Sequence, residues 1–138
     1  AQLAAERARA ETEVATGEAL SFSWFSLGTS LNLLGDYAGA AAAYDQARVA
    51  GLPWRMLWYQ TGPYRAYYSV GRNQDVIDLA NVTLANMDLL EESYYWRGLA
   101  RQAQGNQEAA IADWKKSLDY HPEFGPSVYQ LDLLGVSH

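Results

Sequence analysis

Few side chains of this sequence could do chemistry, and they are widely spaced. The two histidines are His121, next to Pro122, and His138, the last residue. No His, Asp or Glu pair has the spacing of metal ligands. Cysteine is absent, which excludes thiolate nucleophiles, thiolate zinc sites and disulfides. No serine lies in the pattern of a nucleophile elbow, and the glycines do not form a phosphate-binding loop. We therefore expect no catalysis, no metal and no cofactor.

Two adjacent pairs of like charges have structural explanations. Glu91-Glu92 could serve acid–base chemistry, but carboxylates at the start of a helix also complement its dipole, and we favour that interpretation. Lys115-Lys116 is interpreted as a solvated helix face.

The charge pattern limits the class of partner. The net charge is −6, with 16 acidic and 10 basic side chains, whereas nucleic-acid binding needs a basic face. No apolar run approaches the ~18 residues of a membrane span. Between Asp45 and Asp75 there is no carboxylate, and the charged residues of this window are all arginines: Arg48, Arg55, Arg65 and Arg72.

Length and composition are typical of one folded domain. The chain has 138 residues, of which 49% are hydrophobic and 19% charged, so it can bury a continuous core. It has no initiating Met and no signal-peptide pattern, which suggests a processed chain or an excised domain. The absence of cysteine favours an extracytoplasmic location over a cytoplasmic one without requiring it.

A repeat organises most of the chain. The segment "WFSLGTSLNLLGDYAGAAAAYDQA" (24–47) aligns with "YYWRGLARQAQGNQEAAIADWKKS" (94–117) at a constant offset of 70 residues. Gly71 lies 36 residues after Gly35 and 34 before Gly105, which places a third, degenerate unit between them. Each unit reads as two helices broken by a glycine. The aligned pairs predict close helix contacts at small residues (Gly28, Gly98, Ala40 and Ala110) filled by two large ones (Tyr44 and Trp114).

At these residues the sequence resembles the tetratricopeptide repeat family. The family pattern is met by Trp24, Leu27-Gly28, Ala40, Tyr44 and Ala47, and again by Tyr94, Gly98, Ala110, Trp114 and Pro122. The resemblance implies an all-α, right-handed superhelical solenoid of antiparallel helix pairs. Its predicted parts are an N-terminal helix (1–16), repeat 1 (20–52), a degenerate repeat 2 (53–88), repeat 3 (90–122) and a capping helix (124–135).

The middle repeat departs from the family pattern. Tyr64 stands where a small residue is expected and Ala80 where an aromatic is expected, a swap that could be compensatory. Pro63 would cost ~3 kcal/mol inside a regular helix, and Gly62 about 1 kcal/mol more. Two outcomes remain open for a first helix starting at Leu52-Pro53 and reaching Val70. It kinks at 59–62, or residues 53–61 form a separate short helix and Thr61 caps a new one.

The resemblance also implies a concave groove that binds a protein or peptide partner. Its groove-facing positions are Phe25, Thr29 and Asn32 in repeat 1, Trp58, Thr61, Arg65 and Tyr68 in repeat 2, Tyr95, Leu99 and Gln102 in repeat 3, and Tyr129 on the last helix. The absence of nearby acids suits Arg65 either to a ligand carboxylate or to stacking on Tyr68. Tyr59, Tyr64 and Tyr67 are expected in the core, whereas for Trp58, Arg65 and Tyr68 core and ligand contact both stay open.

Three functions follow as expectations. The first is a non-catalytic scaffold that binds a partner through its groove or as a fixed subunit of an assembly. The second rests on "GLPWRMLWYQTGPYRAYYSVGRNQDVIDLA" (51–80) and "LEESYYWRGLA" (90–100), which are similar to repeat modules following C39-type papain-like peptidase domains in bacterial envelope proteins. It would make the chain an accessory module of such a peptidase. The third is a small-ligand or glycan pocket built from Trp58, Tyr68 and Tyr95.

Overall fold

The computed structural model describes residues 4–8 and 20–138, and in these ranges the regular elements are helices joined by turns, with no β-strand. Of the predicted N-terminal helix (1–16), residues 4–8 are helical and the rest lie outside the described residues. The numbered elements after residue 19 are α1 (Leu20–Leu33), α2 (Tyr37–Val49), a 3₁₀ helix η1 (Trp54–Trp58), α3 (Gly62–Ser69), α4 (Asn73–Asn86), α5 (Glu91–Ala103), α6 (Gln107–Tyr120) and α7 (Gly125–Leu133).

The chain forms two compact units, and the described elements divide between them. The first unit contains Ala1–Met56 and Gly62–Gly71, so its helices are α1, α2 and α3. The second contains Leu57–Thr61 and Arg72–His138, and therefore α4 to α7.

Helices α1 and α2 pair around a glycine in the first unit, as the repeat predicts. A β-carbon on Gly28 would lie 2.7 Å from Cε1 of Tyr44, so the phenol ring packs directly on the α1 backbone. Gly35, at φ 79°, ends α1 in the left-handed conformation that glycine adopts without strain. Asp36 then caps α2 by accepting a 2.9 Å hydrogen bond from the Gly39 amide. The link between the helices is short, which makes them antiparallel neighbours.

Helices α5 and α6 repeat this arrangement in the second unit. A β-carbon on Gly98 would lie 2.5 Å from Nε1 of Trp114, the residue that aligns with Tyr44. Gly105 ends α5 at φ 85°, and Asn106 caps α6 by accepting a hydrogen bond from the amide of Ala109 at 3.2 Å. The predicted small–large contacts at Gly28 and Gly98 are therefore both confirmed.

The chain around Gly62-Pro63 forms a separate short helix and then a new one, as in the second predicted outcome, and capping by Thr61 stays a prediction. Residues Trp54–Trp58 form the short helix η1, and a new helix begins at Gly62. A continuous helix from Leu52 to Val70 is therefore wrong, because the chain leaves helical geometry between Trp58 and Gly62. Pro63 lies in the first turn of α3, where its missing amide hydrogen would have no helical acceptor.

The remaining helices complete the second unit. Helix α4 packs against α5, and α7 packs against α6. Between α6 and α7, the Ser127 hydroxyl donates a buried 2.9 Å hydrogen bond to the Ser117 hydroxyl. Pro126 lies in the first turn of α7 and Leu131 is fully buried, so the helix predicted at the end of the chain is present. The two swapped residues of the middle repeat, Tyr64 and Ala80, are each completely buried.

Candidate peptide-binding surfaces

Three of the predicted groove residues lie on α1 and α3 of the first unit. The Asn32 amide, in the last turns of α1, donates a 2.8 Å hydrogen bond from Nδ2 to the carbonyl of Gly62, at the start of α3. Arg65 and Tyr68 follow Gly62 at intervals of three residues, and this spacing places them along one side of α3. We call Asn32, Arg65 and Tyr68 the first-unit strip.

The residues of the first-unit strip differ in solvent exposure and in hydrogen bonding. The Arg65 side chain is exposed and the Tyr68 side chain is half-buried. Oδ1 of Asn32 is buried and accepts no hydrogen bond from the described residues. A buried acceptor left in this state costs about 1–3 kcal/mol, so the strip contains an acceptor that a new donor would stabilise.

Hydroxyl groups next to the strip are engaged within the core. Thr29 and Tyr44 share a 3.0 Å hydrogen bond between their hydroxyls, and burial raises the pKa of Tyr44. The Tyr67 hydroxyl donates a 2.8 Å hydrogen bond to Asp45, and the Arg48 guanidinium lies 5.4 Å from the centre of the Tyr67 ring. The Thr29 hydroxyl is therefore hydrogen-bonded within the core, and Thr29 is not a member of the strip.

The second unit holds a cavity that the sequence did not predict. It measures about 200 Å³ and is lined by Leu57, Trp58, Tyr59, Leu90, Glu91 and Glu92, a set we call the acidic–aromatic cavity. Leu57 is 1% exposed and forms a buried wall, whereas Tyr59 is 89% exposed. The Trp58 and Tyr59 rings meet edge to face at 6.4 Å. Trp58 therefore lines a cavity whose other residues were not foreseen, and its role in a binding groove stays a prediction.

Glu91 and Glu92 lie in the first turn of α5, which is the position that the helix-dipole interpretation requires. That interpretation is confirmed, but it missed that both carboxylates also line a cavity. No sequence signal connected them with Leu57–Tyr59, because more than thirty residues separate the two segments.

Two residues expected in the groove are buried, and one expected in the core is exposed. Phe25 is 2% exposed and packs its ring edge on Tyr44 at 5.1 Å, and Leu99 is 7% exposed, so both groove expectations are wrong. Tyr64 and Tyr67 are core residues as predicted. The core expectation for Tyr59 is wrong, because this residue lies in the link between η1 and α3 rather than on a helix.

The other predicted site residues lie in the second unit. Thr61 and Gln102 are half-buried. Tyr95 is also half-buried, and its ring contacts those of Trp96 and Phe124 at 5.4 and 5.9 Å. Tyr129 on α7 is 60% exposed. Their role in binding stays a prediction.

The most buried charges of the second unit form a structural network. Asp113 accepts hydrogen bonds of 2.7 and 3.0 Å from Arg97 and one of 2.9 Å from Arg101. Arg97 also donates to Asn81 at 2.9 Å and lies over the Tyr94 ring. Because these groups satisfy one another, the network fastens α5 to α6 and offers little to a ligand.

A second cavity, of about 360 Å³, lies at the end of the second unit. Its lining mixes charged, polar and apolar side chains: Lys115, Leu118, Asp119, Pro122, Ser137 and His138. Within residues 4–8 and 20–138, no group of three His, Asp or Glu side chains is arranged to hold a metal ion. No helix in the same ranges is both long and apolar enough to cross a membrane.

Comparisons with known proteins show what parts of this chain are similar to. Residues 92–123 match the tetratricopeptide repeat family model. No curated protein matches the sequence. The solved structure of the first TPR of Spaghetti (RPAP3), bound to the HSP90 peptide SRMEEVD, is similar with a TM-score of 0.71 and 22% identity, covering 83% of this chain and 90% of that one.

Two structures of MamA are similar as well. The MamA RS-1 ArsTM double mutant has a TM-score of 0.78 at 18% identity and covers 91% of this chain and 70% of its own. The crystal structure of MamA has a TM-score of 0.75 at 17% identity, with 92% and 75% covered. Residues 92–123 are therefore a tetratricopeptide repeat, and the chain around them has the all-helical fold of tetratricopeptide-repeat proteins.

Proposed function

We propose that this chain is a non-catalytic interaction module that binds an acidic peptide segment of a partner protein at the first-unit strip. The observation that carries the proposal is that Arg65 is exposed on α3. It follows Gly62 by three residues, and the carbonyl of Gly62 accepts the hydrogen bond from Asn32. Residues 46–74 contain no carboxylate, and Arg65 lies within this basic window of the sequence.

The three members of the strip contribute in different ways to the proposed binding. A guanidinium binds a carboxylate through two parallel hydrogen bonds, which gives both attraction and orientation. The Asn32 side chain is half-buried, and its hydrogen bond to the Gly62 carbonyl fixes the start of α3, the helix on which Arg65 lies. Tyr68 adds a rigid aromatic surface, a residue type that contributes strongly to binding energy.

A structural neighbour supports the same chemistry by analogy. The RPAP3 repeat domain is bound to the peptide SRMEEVD, which carries three carboxylate side chains. The likeness in fold does not by itself transfer a ligand, because function depends on the site residues. The argument for acidic peptides therefore rests on Arg65 and Asn32.

The test is a titration of the folded chain with fluorescein-labelled acidic heptapeptides, including SRMEEVD, followed by fluorescence anisotropy. Arg65→Gln should weaken binding about tenfold, the factor that corresponds to ~1.4 kcal/mol. The matched control is Arg55→Gln, which removes another exposed charge, from η1, and should leave the affinity unchanged.

A neutral peptide, SRMQQVN, serves as the ligand control and should bind at least tenfold more weakly than SRMEEVD. Equal affinity of the acidic and neutral peptides, or of Arg65→Gln and the unaltered chain, would refute an anion site at Arg65.

A further inference from the structure

We propose that the acidic–aromatic cavity of the second unit binds the side chain of a lysine or arginine presented by a partner protein. This inference goes beyond the proposed function, because it concerns other residues and the opposite ligand charge. Its starting observation is the cavity itself, which combines a buried aliphatic wall, an indole and two carboxylates.

The carboxylates decide the charge of the occupant. Glu91 has one neighbouring base, since its Oε1 lies 3.5 Å from Nδ1 of His121, a side chain that attracts it only when protonated. Glu92 forms no ion pair with the described residues. Both are half-buried, so a cation that enters the cavity meets carboxylates that are less screened than surface charges.

The aromatic side chains select an organic cation over a metal ion. Trp58 lines the cavity, and indole is the aromatic group that attracts a cation most strongly across its face. Leu57 and Leu90 supply apolar surface for an aliphatic stem. Lysine and arginine have this amphipathic form, with methylene groups that bury against apolar walls and a charged tip.

The size of the cavity favours a side chain over a complete small molecule. Its volume is about 200 Å³. Sites for drug-sized ligands typically measure ~300–1,000 Å³. A single side chain anchored in a small pocket, with the rest of its protein outside, is the arrangement of a binding hot spot.

The experiment titrates the ¹⁵N-labelled chain with two capped tripeptides, acetyl-Ala-Lys-Ala-amide and acetyl-Ala-norleucine-Ala-amide, and follows the Trp58 indole N–H resonance. Norleucine has the aliphatic stem of lysine without its charge. The lysine peptide should move the Trp58 resonance along a saturable curve and bind at least about tenfold more tightly than the norleucine peptide. The corresponding arginine peptide should behave like the lysine peptide.

Variants distinguish binding of the cation in the cavity from its general attraction to a negatively charged protein. The double variant Glu91→Gln, Glu92→Gln keeps the size of both side chains and should weaken lysine-peptide binding at least about tenfold. The matched control, Glu108→Gln, removes an exposed carboxylate from the first turn of α6 and should bind as the unaltered chain does. If the double variant unfolds, Tyr59→Ser is the second variant, because this side chain is 89% exposed. Tyr59→Ser is also expected to weaken binding of the lysine peptide.

Equal affinity for the lysine and norleucine peptides, undiminished binding by the double variant, or no binding of either cationic peptide would overturn the proposal. Binding of acidic heptapeptides at Arg65 is a separate measurement with separate variants, so either site can fail while the other stands.

Discussion

The Nδ2 atom of Asn32 donates a 2.8 Å hydrogen bond to the carbonyl of Gly62, and this contact explains the glycine that precedes Pro63. A β-carbon at residue 62 would lie 3.2 Å from the Asn32 amide and would collide with the Tyr44 hydroxyl. Gly62 is therefore required by close approach of α1 and α2 to the start of α3. Gly62-Pro63 is the beginning of a helix rather than a break inside one.

Replacing Pro63 distinguishes these two interpretations. If Pro63 interrupted a continuous helix, Pro63→Ala would raise the free energy of unfolding by ~3 kcal/mol. Because Pro63 is buried in the first turn of α3, we expect the opposite, a loss of about 1–2 kcal/mol from two missing methylenes and a more flexible unfolded chain. Urea denaturation measures the difference. Pro126→Ala, at the exposed start of α7, should change stability by only about 0.5 kcal/mol.

Gly98→Ala tests the packing of the second unit. Alanine normally stabilises a helix by about 1 kcal/mol over glycine, but here the added methyl would lie 2.5 Å from Nε1 of the fully buried Trp114. We expect a net loss of ~1–3 kcal/mol from overpacking, measured by thermal or urea unfolding. Gly125→Ala is the control, since nothing lies within 4 Å of its β-carbon. A Gly98→Ala chain as stable as the control would show that Trp114 can move aside.

Asp113→Ala should be among the most damaging polar substitutions in the second unit. It leaves the Arg97 and Arg101 guanidiniums without the carboxylate that both contact, and Asp113 is buried. Removing one partner of a buried ion pair costs about 3–5 kcal/mol, and the same loss should appear in chemical unfolding. Asp119→Asn, an exposed change on the same helix, is expected to stay within about 0.5 kcal/mol of the unaltered chain.

Alkaline pH should destabilise the first unit through Tyr67. Burial raises the pKa of Tyr67 above its ordinary value, so the unfolded chain loses this proton at a lower pH than the folded chain does. The folded state then binds more protons, and stability falls as the pH rises past about 10, the ordinary tyrosine pKa. Unfolding by urea at a series of pH values should show this decline.

Tyr67→Phe is the matched variant for this experiment. It removes the hydrogen bond to Asp45 and should lower stability at neutral pH by about 1 kcal/mol. Its stability should nevertheless fall less steeply above pH 10, because the titrating hydroxyl is gone. Parallel pH profiles for the two chains would contradict the assignment to Tyr67.

The sequence alone determined the helix pairs and their tightest contacts. The aligned glycines predicted where α1 and α5 end, and Gly35 and Gly105 have nearly equal positive φ values of 79° and 85°. The same alignment predicted close helix contact at Gly28 and Gly98 with Tyr44 and Trp114 as the large residues that fill the space, and the structure pairs Gly28 with Tyr44 and Gly98 with Trp114. These features were readable because each depends on residues close in sequence, within one helix–turn–helix unit.

Tertiary structure decided which side chains of the middle segment (57–67) are buried and which residues line the acidic–aromatic cavity. The three residues between η1 and α3, at positions 59–61, leave helical geometry and break the 3.6-residue period. The sequence predicted Tyr64 and Tyr67 in the core correctly, but helical spacing could not tell that Tyr59, in the link between η1 and α3, is exposed. The cavity joins residues 57–59 to residues 90–92, and only folding brings such distant segments together, since helical periodicity carries no information about contacts between separate elements.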